Sequence, residues 1–157
     1  MRTEEMSANS DDDGSIMLSS AAAGLDAILQ SGVSGVPDIG GLATRSDREV
    51  AVMVWNYHDD ALPAPPSPVR LSLAGLPAAD TVLVEHYRID DYHSNAYTAW
   101  QQMGSPQKPT GEQYDRLEAA GQLQLLHSPE WLPVRDGRLE LVFALPRQSV
   151  SLVTVRW

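Results

Sequence analysis

The chain has 157 residues, enough for one domain, and its 43% hydrophobic content excludes a wholly disordered polypeptide. A formal net charge of −10 argues against nucleic acid and anionic membrane surfaces as partners, since both are bound through basic patches that displace counterions. The absence of cysteine excludes disulfides and thiolate metal sites, and no apolar run approaches the ~18 residues of a membrane helix.

Residues 1–14 are polar and acidic, with no apolar h-region of a secretory signal, and are expected to form a disordered arm. A protein read this way is soluble, with the cytoplasm as favoured compartment. Asp11, Asp12 and Asp13 are contiguous, whereas a calcium loop spaces its carboxylates at alternate positions. Residues 15–157 read as a single domain. A short apolar strand-like piece leads into a weak helical turn at Leu25–Leu29, and then into a Gly/Pro-rich loop from Gly32 to Gly41. Glu49–Tyr57 is a strong strand, apolar almost throughout, and is expected to be buried on both faces. Ile39–Arg45 precedes it with a turn at Ser46-Asp47 between them. The prolines of Leu62–Pro68 exclude a central strand there. Val69, Leu71 and Leu73 share one face of the next strand, and Thr81–Tyr87 follows.

The stretch His86–Tyr114 then interrupts the strands with a helical excursion, placed at 94–121. Ser94 is the expected cap of a first helix, Asn95–Met103, closed by Gly104. Thr110 caps a second helix, with Gln113 three residues on completing a capping box. Beyond it, Leu123–Leu126 and Trp131–Val134 read as edge or connecting strands. Asp136-Gly137 is a turn signal. Leu139, Leu141, Phe143 and Leu145 alternate with polar or small residues, and the last strand sets Val150, Leu152, Val153 and Val155 against Ser151, Thr154 and Arg156. Six to eight short strands separated by turns define a mainly β fold: an antiparallel β-sandwich with an inserted two-helix loop.

Chemistry is sparse in this pattern. No phosphate loop, H-E-x-x-H or G-x-S-x-G elbow occurs, so no cofactor or metal is expected. His58-Asp59-Asp60 reads as a polar turn at a strand end. His86 and His93, flanking Arg88, Asp90 and Asp91, read as a hydrogen-bonded corner. His93, Ser94 and Asp91 have the residue types of a triad, but sequence adjacency is not triad geometry. Glu85, Asp90, Glu112, Glu118, Glu130 and Glu140 are glycosidase carboxylates by type alone. Among the aromatics, Trp55 and Tyr87 are expected in the core. Tyr92, Tyr97, Trp100, Tyr114 and Trp131 are candidate contacts for a carbohydrate or an interface.

Three segments, taken together, resemble the C-terminal part of glycoside hydrolase family 39, the β-xylosidases, with α-L-iduronidase more distant. They are Val52–Asp60 (VMVWNYHDD), His86–Leu117 (HYRIDDYHSNAYTAWQQMGSPQKPTGEQYDRL) and Leu145–Leu152 (LPRQSVSL). The resemblance covers roughly residues 15–157. It implies a (β/α)₈ catalytic barrel followed by an accessory β-sandwich, with the helical loop projecting toward the barrel or a neighbouring subunit. It also implies retaining hydrolysis by two glutamates, one in an Asn-Glu-Pro motif. This chain has no Asn-Glu-Pro, and a barrel needs at least ~200 residues. No catalytic residue is therefore transferred, and Glu130, before Trp131, is not given the nucleophile role. The expectation is a non-catalytic accessory sandwich without its barrel, a truncated or separately encoded piece. Its partners are then a barrel in trans or a second copy of itself. A module for xylo-oligosaccharides and a dimerisation module acting through the helical loop are the alternatives.

Overall fold

The computed structural model describes residues 4–10, 16–19, 25–33, 38–60, 62–77 and 80–157. In chain order these form β1 (Glu4–Ser10), β2 (Ile16–Ser19), α1 (Leu25–Ser31), β3 (Asp38–Arg45), β4 (Glu49–Tyr57), β5 (Ser67–Leu73) and β6 (Thr81–Ile89). The excursion follows as α2 (Ala96–Gln102) and α3 (Gly111–Gly121), then β7 (Gln124–Leu125), β8 (Glu130–Pro133), β9 (Leu139–Leu145) and β10 (Ser149–Arg156).

Two sheets face each other. The smaller runs β2-β1-β5-β9 and the larger β3-β4-β10-β6-β7, with β8 also pairing β6. Nearly all pairs are antiparallel; β1 lies parallel to β5. The fold is thus a mainly β sandwich, and no (β/α)₈ barrel occurs among the described residues. Glu4–Ser10, within the stretch expected to be an arm, forms β1. A sheet edge can pair any extended segment, because the ladder is made of backbone groups. The aspartate run at 11–13 lies outside the described residues. Among those residues no helix is long and apolar enough to cross a membrane.

The core joins both sheets: Val69, Leu71, Leu73, Leu139 and Leu145 from the smaller pack on Ile39, Val50, Val52, Val54, Val82, Val84, Val153 and Val155 from the larger. Strict alternation in β4 buries Val50, Val52, Val54 and Asn56 and turns Met53 and Tyr57 outward. This corrects the expectation that β4 is buried on both faces. A continuous apolar run usually marks two-sided burial, but here its second half makes an apolar outer surface.

The phase of β10 is also corrected. Ser149, Ser151, Val153 and Val155 point inward, while Val150 and Leu152 face out. Inward serines look like surface residues in a sequence; here they complete a polar end of the core. The hairpin at Asp136-Gly137 forms as expected, with both residues at positive φ (51° and 69°) as a type I′ turn requires.

Candidate functional site

The inner faces divide into an apolar half and a polar half. At the polar end of the sandwich Asn56, His58, His86, Arg88, Asp90, Ser149 and Ser151 are all buried. Burying such groups is tolerable only if they bond one another. Arg88 lies at the centre of this polar end. Its Nε donates to Ser151 Oγ at 3.1 Å and its Nη2 donates across the sandwich to the Ala144 carbonyl at 3.0 Å. Its Nη1 lies 3.7 Å from Asp90 Oδ2. His86 Nε2 shares Ser151 Oγ at 2.9 Å, and its ring meets the edges of Phe143 and His127. Asn56 Nδ2 makes a second link between the sheets, donating to the Leu145 carbonyl at 3.0 Å.

Electrostatics follow from this burial. Loss of solvent pushes the His86 imidazole down to about 4, helped by the neighbouring Arg88 and His127, so it is neutral at pH 7. Burial also lowers Arg88, and Asp90 opposes that shift. For Asp90, burial acts upward but is outweighed by hydrogen bonds from the Tyr92 amide and from the ring and amide of His93. The carboxyl is held below the usual carboxylate range. An acid held ionised in this way cannot serve as a general acid at neutral pH.

The same residues clamp the excursion. Asp90 Oδ1 accepts from the Tyr92 and His93 amides at 2.8 and 2.9 Å and from His93 Nδ1 at 2.9 Å. Ser94 stands at φ 52°, a left-handed conformation. Its hydroxyl donates to the Arg88 carbonyl and accepts from the Gln124 amide, both at 2.8 Å, so it ties the outgoing leg to the returning one. It therefore does not cap α2. Asn95 is the cap, accepting from the Thr98 amide at 3.1 Å, which moves the expected helix start by one residue. Thr110 and Gln113 form the expected capping box on α3. With Ser94 bonded to backbone and His93 to Asp90, the adjacent Asp91-His93-Ser94 set makes no triad.

The five aromatic candidates are not gathered into one platform. Tyr92 is 87% exposed and borders a groove between α2 and α3 lined by Asp91, Asn95, Thr98, Gln102 and Gln124. Tyr97 stacks on Trp100 with ring centroids 5.7 Å apart, and Trp100 Nε1 donates to the Pro106 carbonyl at 3.0 Å. Tyr114 is exposed on α3. Trp131 is exposed on β8, opposite Leu83 on the outer face of the larger sheet. Trp55 and Tyr87, expected in the core, also lie on that outer face, because their neighbours at even positions take the inward phase.

The carboxylates are dispersed. Glu85 pairs with Arg156, Glu112 with Arg116 and Glu140 with Arg70, while Glu118 is exposed on α3. In four clefts formed by described residues they occur singly or not at all. Glu140 lines one beside the Arg135–Arg138 turn, Glu130 one beside His86, and Asp91 the helix groove. The fourth, between Met53 and Leu123, holds none. At the strand end, His58 is buried and Asp60 is held by Arg147 at 3.3 Å, with Gln148 donating to the His58 and Asp60 carbonyls. No group of three metal-ligating side chains occurs among the described residues.

Two packed sheets with a helical excursion clamped through a buried arginine–aspartate pair define a β-sandwich domain. The model of glycosyl hydrolases family 39 matches residues 29–128, and the chain belongs to that family. A β-xylosidase of Caldicellulosiruptor saccharolyticus is 28% identical over 120 residues, which are 76% of this chain and 24% of the relative. The mouse (Mus musculus) α-L-iduronidase is 35% identical over 126 residues, 74% of this chain and 19% of the relative. Among solved structures, the family 39 enzyme of Xanthomonas axonopodis pv. citri superposes with a TM-score of 0.65 at 19% identity, over 74% of this chain and 25% of that one. The chain thus spans about a quarter or less of the length of these proteins.

Proposed function

We propose that this chain is the non-catalytic accessory β-sandwich of a family 39 glycoside hydrolase, a parent enzyme that cleaves β-xylosides with retention. The observation that carries this reading is the fate of the family-like segment. Arg88, Asp90, His93 and Ser94 are committed to each other, to Ser151 and to backbone atoms, and present no paired carboxylates to a cleft. Their work is to fix the excursion on the sandwich, where it can meet another part of the parent enzyme. The test is an aryl β-xyloside assay of the purified chain. The expected result is no turnover above buffer, and reproducible hydrolysis would refute the reading.

A second reading, carbohydrate binding, draws on the exposed ring of Tyr92 beside a groove rich in amide and hydroxyl groups. Calorimetric titration with xylo-oligosaccharides separates the two. Heat that disappears in Tyr92→Ala supports a sugar site, and a flat titration of the parent chain removes it.

A further inference from the structure

Arg135 and Arg138 are bridge partners across the turn between β8 and β9, each amide donating to the other's carbonyl, at 3.0 and 2.9 Å. Partners that exchange both bonds set their side chains on one face, so two guanidinium-bearing side chains leave the hairpin side by side. Like charges placed directly opposite are destabilising. Arg70, Arg88, Arg116, Arg147 and Arg156 each answer a carboxylate. Among the described residues neither Arg135 nor Arg138 has a side-chain ion pair or hydrogen bond, even with Asp136 in the turn between them. Both are exposed, in a chain whose net charge is −10. With Leu132, Pro133, Leu139 and Glu140 they line the largest of the four clefts described above. Its volume of about 430 Å³ falls within the roughly 300–1,000 Å³ of small-molecule sites. The turn is anchored to the sandwich, since the Leu76 amide donates to the Gly137 carbonyl at 3.0 Å and the Val134 amide to the Asp80 carbonyl at 3.1 Å.

We propose that this cleft binds a small organic carboxylate with a flat apolar body, its oxygens held by Arg135 and Arg138 and its body laid against Leu132, Pro133 and Leu139. The lining selects that class. A guanidinium presents a planar fork of donors that matches the two oxygens of a carboxylate, and two unpaired forks side by side call for an anion. The rest of the lining, Glu140 apart, is apolar, so a hydrated inorganic ion would leave it bare, whereas an apolar body gains by covering it. Glu140, the one carboxylate on the cleft, is taken by Arg70 at 3.2 Å and does not neutralise the arginine pair. Its charge disfavours a doubly ionised head such as a phosphate and leaves the singly charged carboxylate. The anchored turn holds the two backbones in place before binding, which lowers the ordering cost. The site is separate from the Tyr92 groove and does not depend on the accessory reading.

The probe is 2-naphthoate, with 2-naphthamide as its uncharged counterpart and acetate as the head without the body, titrated into the whole ¹⁵N-labelled chain. The expected result is saturation by 2-naphthoate in the roughly millimolar range of so small a ligand. The amides of Leu132, Arg135, Arg138 and Leu139 should shift and that of Tyr92 should not. Binding should weaken by about tenfold or more with the amide, with acetate, and in Arg135→Gln or Arg138→Gln. Arg116→Gln, on α3, should bind as the parent does. Because each cleft variant removes a like-charge contact, its urea midpoint should equal or exceed that of the parent, which separates lost binding from lost folding. Equal binding of acid and amide, affinity indifferent to both glutamines, or shifts confined to other parts of the chain overturn the proposal. So does a titration that stays flat to roughly 10 mM. A hexaglutamate peptide that binds at the turn where 2-naphthoate does not makes an acidic protein segment the ligand and overturns it as well.

Discussion

Arg88 bonds Ser151, bridges the sheets to Ala144 and lies 3.7 Å from the buried Asp90. Removing one member of a buried pair leaves the other charged in low dielectric, which costs about 3–5 kcal/mol. Arg88→Met should therefore lower the unfolding free energy by about that amount in urea titrations, whereas replacing the exposed Arg116 should change it by less than about 0.5 kcal/mol. His86 gives a pH signature. In the unfolded chain it titrates near 6.5, and in the fold it is held at about 4. The folded state binds fewer protons, so this contribution is complete above pH 6.5 and is lost as pH falls from about 6.5 toward about 4. Its upper bound is about 3 kcal/mol. Asp90, depressed below the usual carboxylate range, adds a further loss at still lower pH. Urea midpoints between pH 7 and 4.5 should fall for the parent chain and run flatter for His86→Gln.

At the scale of elements, the excursion is held at two kinds of point, the Ser94 tie at its base and the Thr110 cap within it. Ser94→Ala loses both hydroxyl bonds and should speed hydrogen exchange at the Gln124 amide by ten-fold or more, with Val153 and Val155 unchanged. Thr110→Ala should cost about 1 kcal/mol, confined to the first turn of α3. Strand positions were legible in the sequence because alternation in β5 and β9 is clean and turn residues punctuate it. The capping box was legible because its chemistry is local. The α2 cap was misplaced by one residue because Ser94 and Asn95 are both competent caps, and only the distant Gln124 amide claims the serine. The polar half of the core was illegible for a similar reason. Ser149 and Ser151 are satisfied by partners on other strands or around a turn, so their inward phase has no local mark. Two of the five aromatic candidates, Tyr97 and Trp100, were close enough in sequence to foresee as a helical pair; that Trp131 lies on a different surface depends on β8 crossing to β6.

Taken whole, the molecule sets buried His86, Arg88 and Asp90 at one end of an apolar core and leaves Tyr92, Tyr97, Tyr114 and Trp131 exposed. The clamped excursion and the absence of paired carboxylates in the clefts formed by described residues are what the proposed accessory role rests on. Retaining glycosidases trap themselves on a 2-fluoro-xyloside, because the nucleophilic carboxylate forms a glycosyl-enzyme bond that then hydrolyses slowly. Intact-mass measurement after incubation with such an inactivator asks directly whether this chain holds that machinery. The account predicts a mass identical to the untreated protein, and a stoichiometric gain of one fluoroxylosyl group would contradict it.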